Sequence, residues 1–159
     1  MTEGPAATLI ALARETGTMI ATAESCTAGM ISAAITEVSG SSHVFDRGFV
    51  TYSNLSKQEM LGVCAETLEA HGAVSENVAR EMAEGALERS QAGLAIAVTG
   101  IAGPGGSHHK PEGRVCFGLA RNGAPTFSET VEFGPIGRAN VRRATVEHAL
   151  GLLVAALKR

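Results

Sequence analysis

The stretch "LAIAVTG", residues 94–100, narrows the available folds more than any other part of this chain. Its residues are apolar in succession rather than in alternation, so as a strand it should be covered on both faces. Such a strand needs helices above and below it, and the flanking sequence supplies candidates for both layers. "TMIATA" (18–23) reads as a short buried strand, and "HVFDRGFVTYS", rich in Val, Phe, Tyr and Thr, predicts another near Gly48 to Tyr52. Helical stretches fall between: Ala6 to Glu15 ahead of Gly17, "TAGMISAAITEVSG" stopped by Gly40, and "SKQEMLG" and "AETLEAHG", each closed by glycine. In "SENVAREMAEGALERSQ" one stripe of Val78, Ala79, Met82, Ala83, Ala86 and Leu87 follows an expected N-cap at Ser75. "RVCFGLA" and "TFSETVEF" flank a hairpin turn at Asn122-Gly123. A last helix carries Val146, Ala149, Leu150, Leu153 and Leu157 on one face. The alternation predicts an α/β fold, a three-layer α/β/α sandwich around a mixed, mostly parallel sheet, with residues 1–159 forming one domain.

A formal charge of -3, one Tyr and no Trp argue against a nucleic-acid-binding surface. "LLVAAL" falls far short of the ~20 apolar residues that span a bilayer, and the early acid in "MTEGPAA" makes a poor secretory leader. Cys26, Cys64 and Cys116 are odd in number and form no CxxC pair, so neither a disulfide framework nor a metal cluster is expected. A cytoplasmic protein with reduced thiols, no metal and no membrane partner is the expectation.

Three strand ends hold groups that could do chemistry. In "AESCTAG" a strand yields to a helix at Glu24, Ser25, Cys26 and Thr27, where open α/β sheets bind ligands. Helix amides beginning near Thr27 would favour an anion there, although Ser25 or Thr27 would equally serve as a helix cap. Tyr52 ends the second strand and Lys57 follows five residues later; a partly buried Tyr and a solvated Lys are the plainer alternative. In "VTGIAGPGG", Thr99 ends the apolar strand, and Gly100, Gly103, Gly105 and Gly106 let backbone approach a ligand, or form a flexible loop. A serine nucleophile needs a base. A lysine can be that base if burial lowers its pKa from about 10.4. Lys57 could then accept the Ser25 proton directly or through the Tyr52 hydroxyl.

At these residues the chain resembles a known family. "AESCTAG", "RGFVTYSNLSK", "GAVSENVAREMA" and "TGIAGPGGSHHKPEGRV" are similar, in order and over nearly the whole chain, to the CinA C-terminal domain family of bacterial nicotinamide-nucleotide amidases. The resemblance implies hydrolysis of the carboxamide of nicotinamide mononucleotide in pyridine-nucleotide salvage. It also implies a metal- and cofactor-free serine amidase on a five-stranded sheet with one antiparallel strand, and a homo-oligomer. Carried over by position, the nucleophile falls on Ser25, the lysine on Lys57, the tyrosine on Tyr52 and a supporting hydroxyl on Thr99. Glu24, Cys26, Thr27, Gly29 and the four loop glycines are expected to contact substrate; Glu24 could alternatively orient Lys57, or serve as a capping or core-edge acid. The family usually has ESCTGG, so the methyl of Ala28 is expected to narrow the pocket. Many relatives carry a further N-terminal domain, and this chain reads as the stand-alone form.

Other residues keep two readings. Cys26 is a rival nucleophile or a small buried hydrophobe. Arg138, Arg142 and Arg143 begin the last helix, where the dipole disfavours cations, so they bind a phosphate (Arg143 above all) or form a solvated face. Arg47 is a weaker candidate of the same kind. His108 and His109 are expected on a solvated lid. A nucleotide-binding module without turnover is the rival to an enzyme.

Overall fold

The computed structural model describes residues 4–159. Five strands, β1 (Ile20–Glu24), β2 (Phe45–Val50), β3 (Leu94–Gly100), β4 (Arg114–Arg121) and β5 (Phe127–Glu132), form one sheet in the order β2-β1-β3-β4-β5. β1 runs parallel to both β2 and β3, while β4 is antiparallel to its two neighbours, so one strand opposes the other four. Helices α1 (Pro5–Thr16), α2 (Met30–Thr36), α3 (Asn54–Leu61), α4 (Ala65–His71), α5 (Glu76–Glu88) and α6 (Arg138–Leu157) cover it on both sides. A 3-10 turn, Ser41–His43, precedes β2.

The two faces differ in side-chain size, and the strand pleat causes the difference. Ile20 in β1 and Leu94, Ile96 and Val98 in β3 point into a cluster with α1, α2 and α6. Ala21, Ala23, Ala95 and Ala97, the alternate residues, point into a second cluster with α3, α4 and α5. Small side chains on that second face let α5 approach closely. At Gly118 of β4 an added methyl would collide with the α5 backbone at Ala79.

Ser75 caps α5, its hydroxyl accepting from the Val78 amide at 3.2 Å, and Gly17 closes α1 in the left-handed conformation. The elements at the strand ends deviate from expectation. β2 ends at Val50 rather than Tyr52. The helix expected over 27–40 begins only at Met30, because residues 25–29 form a turn in which Ala28 and Gly29 have φ of 46° and 103°. Left-handed residues cannot continue a right-handed helix. No helix among the described residues is long and apolar enough to cross a membrane.

Candidate active site

β1 and β3 are adjacent and parallel, so their C-terminal ends open on one edge of the sheet. Ser25 is the first residue past β1, held by its amide on the Val98 carbonyl at 3.1 Å. Pleat alternation continues through this junction: Ser25 falls in line with Ala21 and Ala23, and Thr99 with Ala95 and Ala97, on the face covered by α3 and α5. Thr99 is buried and its hydroxyl donates to the Ala73 carbonyl at 2.9 Å, tying the strand end to the α4–α5 connection.

Lys57 arrives from α3. The Ser53 hydroxyl accepts from the Ser56 amide at 3.1 Å, and the Ser56 hydroxyl accepts from the Ser53 amide at 3.1 Å, a capping box that fixes where the helix starts. One turn on, the Lys57 side chain lies across the sheet edge, only 1% exposed. Its Nζ donates to Ser25 Oγ at 2.9 Å and to the Thr51 carbonyl at 2.8 Å, with the Tyr52 carbonyl at 3.5 Å. Among the described residues no carboxylate forms an ion pair with it. Burial without a counter-charge disfavours the ammonium and brings the amine down from 10.5 to about 8, against a smaller upward pull from Cys26.

A cavity of about 330 Å³ opens beside this pair. Ser25, Cys26, Tyr52, Lys57 and Thr99 line it together with Gly100, Gly103, Gly105 and Gly106. The glycine-rich loop is tied down rather than loose. The Glu112 carboxylate accepts from the Gly105 amide at 2.6 Å, Lys110 Nζ donates to the carbonyls of His71 and Val74, and Ser107 and Lys110 bridge each other. Gly103 is required: its φ is 92°, and a methyl there would lie 2.6 Å from the Glu112 carboxyl carbon. His108 borders the cavity and His109 is exposed.

Four residues expected at the substrate lie elsewhere. Glu24 points with Ile20 and Thr22 to the opposite face of the sheet. Its carboxylate accepts from the Thr27 hydroxyl at 2.6 Å, the Ile31 and Ser32 amides at 2.9 Å each, and the Ser32 hydroxyl at 2.8 Å. It therefore caps α2 rather than orienting Lys57. Thr27 is consumed by that cap, and Gly29 lies outside the cavity lining. Arg143 borders a separate groove between α2 and α6 and donates to Asn140 Oδ1 at 2.7 Å. Arg138 takes the place at the cavity, donating to the Gly103 carbonyl at 2.6 Å and to the Tyr52 hydroxyl at 3.1 Å. Tyr52 is 62% exposed at the mouth, and its hydroxyl does not bridge serine and lysine. Arg47 pairs with Asp46, away from the cavity.

Ala28 is exposed and does not narrow the pocket. Its left-handed φ of 46° suits glycine better. Ala28→Gly should raise stability by about 0.5–1 kcal/mol, the relief of αL strain less the added freedom of the unfolded chain. A urea midpoint that falls would contradict this.

Cys26 lines the cavity but is an unsuitable nucleophile. Burial, with Glu24 adding to it, pushes its thiol up to about 11 despite the opposing pull of its own amide, Arg142 and Lys57. Sequence reasoning missed the contribution of Gly72, Ala73 and Val74, which wall the cavity. The signal was present, since a helix-ending glycine three residues before the Ser75 cap marks a tight backbone connection.

The site is thus a serine hydroxyl 2.9 Å from a buried lysine amine at the strand ends of an α/β/α sandwich. Residues 3–157 match the model of the CinA C-terminal domain, and the chain belongs to that family. It is 49% identical over 146 residues to a CinA-like protein of Chloroherpeton thalassium, covering 89% of this chain and 34% of that protein. It therefore spans about a third of the length of such relatives. Over 105 residues it is 58% identical to the nicotinamide-nucleotide amidohydrolase PncC of Enterobacter agglomerans, covering 65% of this chain and 64% of that protein. The crystal structure of competence/damage inducible protein CihA from Agrobacterium tumefaciens superposes with a TM-score of 0.94 at 47% identity, over 100% of both chains.

Proposed function

We propose that this chain is a cytoplasmic amidohydrolase that converts nicotinamide mononucleotide to nicotinic acid mononucleotide and ammonia, as one step of pyridine-nucleotide salvage. The observation that supports it most is the 2.9 Å contact between Lys57 Nζ and Ser25 Oγ at the floor of the cavity. The PncC relative supports the substrate.

In the neutral form Lys57 has two N–H groups and one lone pair. The carbonyls of Thr51 and Tyr52 take the hydrogens, which leaves the lone pair for the Ser25 hydroxyl. Ser25 Oγ attacks the carboxamide carbon as its proton passes to Lys57. The resulting oxyanion needs donors; the amides of Cys26, Ala102 and Gly103, all at the cavity, make no backbone hydrogen bond among the described residues. The C–N bond then breaks, Lys57 returns the proton to the departing nitrogen, and ammonia leaves an acyl-serine. Water attacks the ester, giving one proton to Lys57 and from there to Ser25 Oγ, and the carboxylic acid departs.

Arg138, with no carboxylate partner among the described residues, offers its guanidinium to the substrate phosphate at the mouth. Arg138→Gln should raise KM by about 10- to 100-fold, the worth of a charge-assisted hydrogen bond, and change kcat by less than a few-fold. An unchanged KM would remove Arg138 from phosphate binding. The reading as a whole is tested by ammonia release from nicotinamide mononucleotide. Saturable binding of the nucleotide without ammonia would instead favour a binding module.

A further inference from the structure

The turn that carries Ser25 has little to hold it in shape on its own. Between Ser25 and Met30 its internal backbone bonds are Ala28 N–H to the Ser25 carbonyl at 3.1 Å and Met30 N–H to the Thr27 carbonyl at 3.0 Å. Two consecutive residues, Ala28 and Gly29, sit in left-handed backbone, and an alanine is held there at a cost. A turn of this kind persists only where its surroundings over-determine it. On the α2 side the Glu24 carboxylate supplies that hold through the Thr27 hydroxyl and the amides of Ile31 and Ser32.

On the other side the hold comes from 116 residues away. Arg142, in the second turn of α6, donates from Nε to the Cys26 carbonyl at 3.0 Å and from an Nη to the Thr27 carbonyl at 3.4 Å. Peptide planarity makes this grip directional. Fixing a carbonyl fixes the N–H of the next residue, so the peptide planes 26–27 and 27–28 are set by the guanidinium. The plane 25–26, which carries the Cys26 amide beside the nucleophile, is set by the Ala28 bond that those planes support. Arg138, one turn earlier on the same helix, reaches the cavity mouth. α6 therefore touches both the substrate entrance and the back of the nucleophile turn.

We propose that Arg142 is a positioning residue, which grips the carbonyls of Cys26 and Thr27 so that Ser25 Oγ and the Cys26 amide hold their aim at the reacting carbon. Its action on turnover rests on the amidohydrolase reading; its grip on the turn does not. The test uses Arg142→Ala and Arg142→Lys in the full chain, with amide hydrogen exchange of residues 25–29 and steady-state ammonia release from nicotinamide mononucleotide. In Arg142→Ala, kcat should fall by about 10²-fold, the effect of a misplacement of roughly 1 Å, with KM changed by less than a few-fold. Exchange should accelerate at the Ala28 amide, which is bonded to the Ser25 carbonyl, but not in the central strands. Arg142→Lys, which keeps one donor, should recover part of both losses, and it carries the test if the alanine variant does not fold. Ammonia release by the wild type is measured first; its absence overturns the amidohydrolase reading and leaves exchange to decide the grip. Unchanged exchange in the turn, or accelerated exchange with kcat intact, overturns the role given to Arg142.

Discussion

Ser25→Ala should lower ammonia release from nicotinamide mononucleotide on the order of 10⁴-fold or more, with little loss of nucleotide binding. In the proposed mechanism the Ser25 oxygen forms the covalent bond to the substrate. Alanine keeps the backbone bond to Val98 that fixes the strand end, so the fold has no reason to fail. Cys26→Ala is the informative companion. With its thiol pushed up to about 11, Cys26 is a protonated, buried group at neutral pH, and the thiolate is the reactive form. Its removal should cost less than about tenfold, mostly through packing at the cavity wall. If the cysteine variant were the inactive one and the serine variant the active one, the nucleophile would be the thiol.

The second large effect concerns Lys57. Lys57→Ala should cost about 10²- to 10⁴-fold in kcat, the usual contribution of a general base. Lys57→Arg should be no better, because a guanidinium keeps its proton at any working pH. The wild-type profile follows from the direction of the shift. Burial lowers the Lys57 pKa, so the amine accepts a proton only once pH exceeds about 8. Below that value kcat/KM should fall tenfold per pH unit, and above it the rate should level off. A rate flat from about pH 5 to 9 would rule out an amine base.

Much of this site can be read in the sequence. The apolar run 94–100 requires helices on both faces, and two parallel strands ending side by side bring Ser25 and Thr99 to one edge. The pleat even separates Glu24 from Ser25, since neighbouring residues of "IATAES" face opposite layers; on that ground alone Glu24 could not have oriented Lys57. What sequence did not disclose depends on tertiary contacts. Ala28 has high helix propensity, so residues 27–40 read as one helix; Glu24, binding the Thr27 hydroxyl and the first amides of α2, and Arg142, binding carbonyls of the turn, override that preference. Arg138 and Arg142, four residues apart, share a helix face, and Arg143 is turned about 100° from Arg142. Periodicity groups the first two, but only the packing of α6 shows that this face, not that of Arg143, meets the cavity. Position in the chain allows Tyr52 a part in the proton path, whereas β2 ends two residues earlier and the hydroxyl meets Arg138 at the mouth.

The proposed mechanism requires that the buried Lys57 amine give up its proton near pH 8 to arm the hydroxyl beside it. Its titration can be followed directly by NMR on protein labelled at the lysine side chains, with Lys57→Ala identifying the resonance. A midpoint near pH 8 for Lys57 is the expected result; a midpoint at the ordinary lysine value of about 10.4 would leave Ser25 without a base and contradict the mechanism.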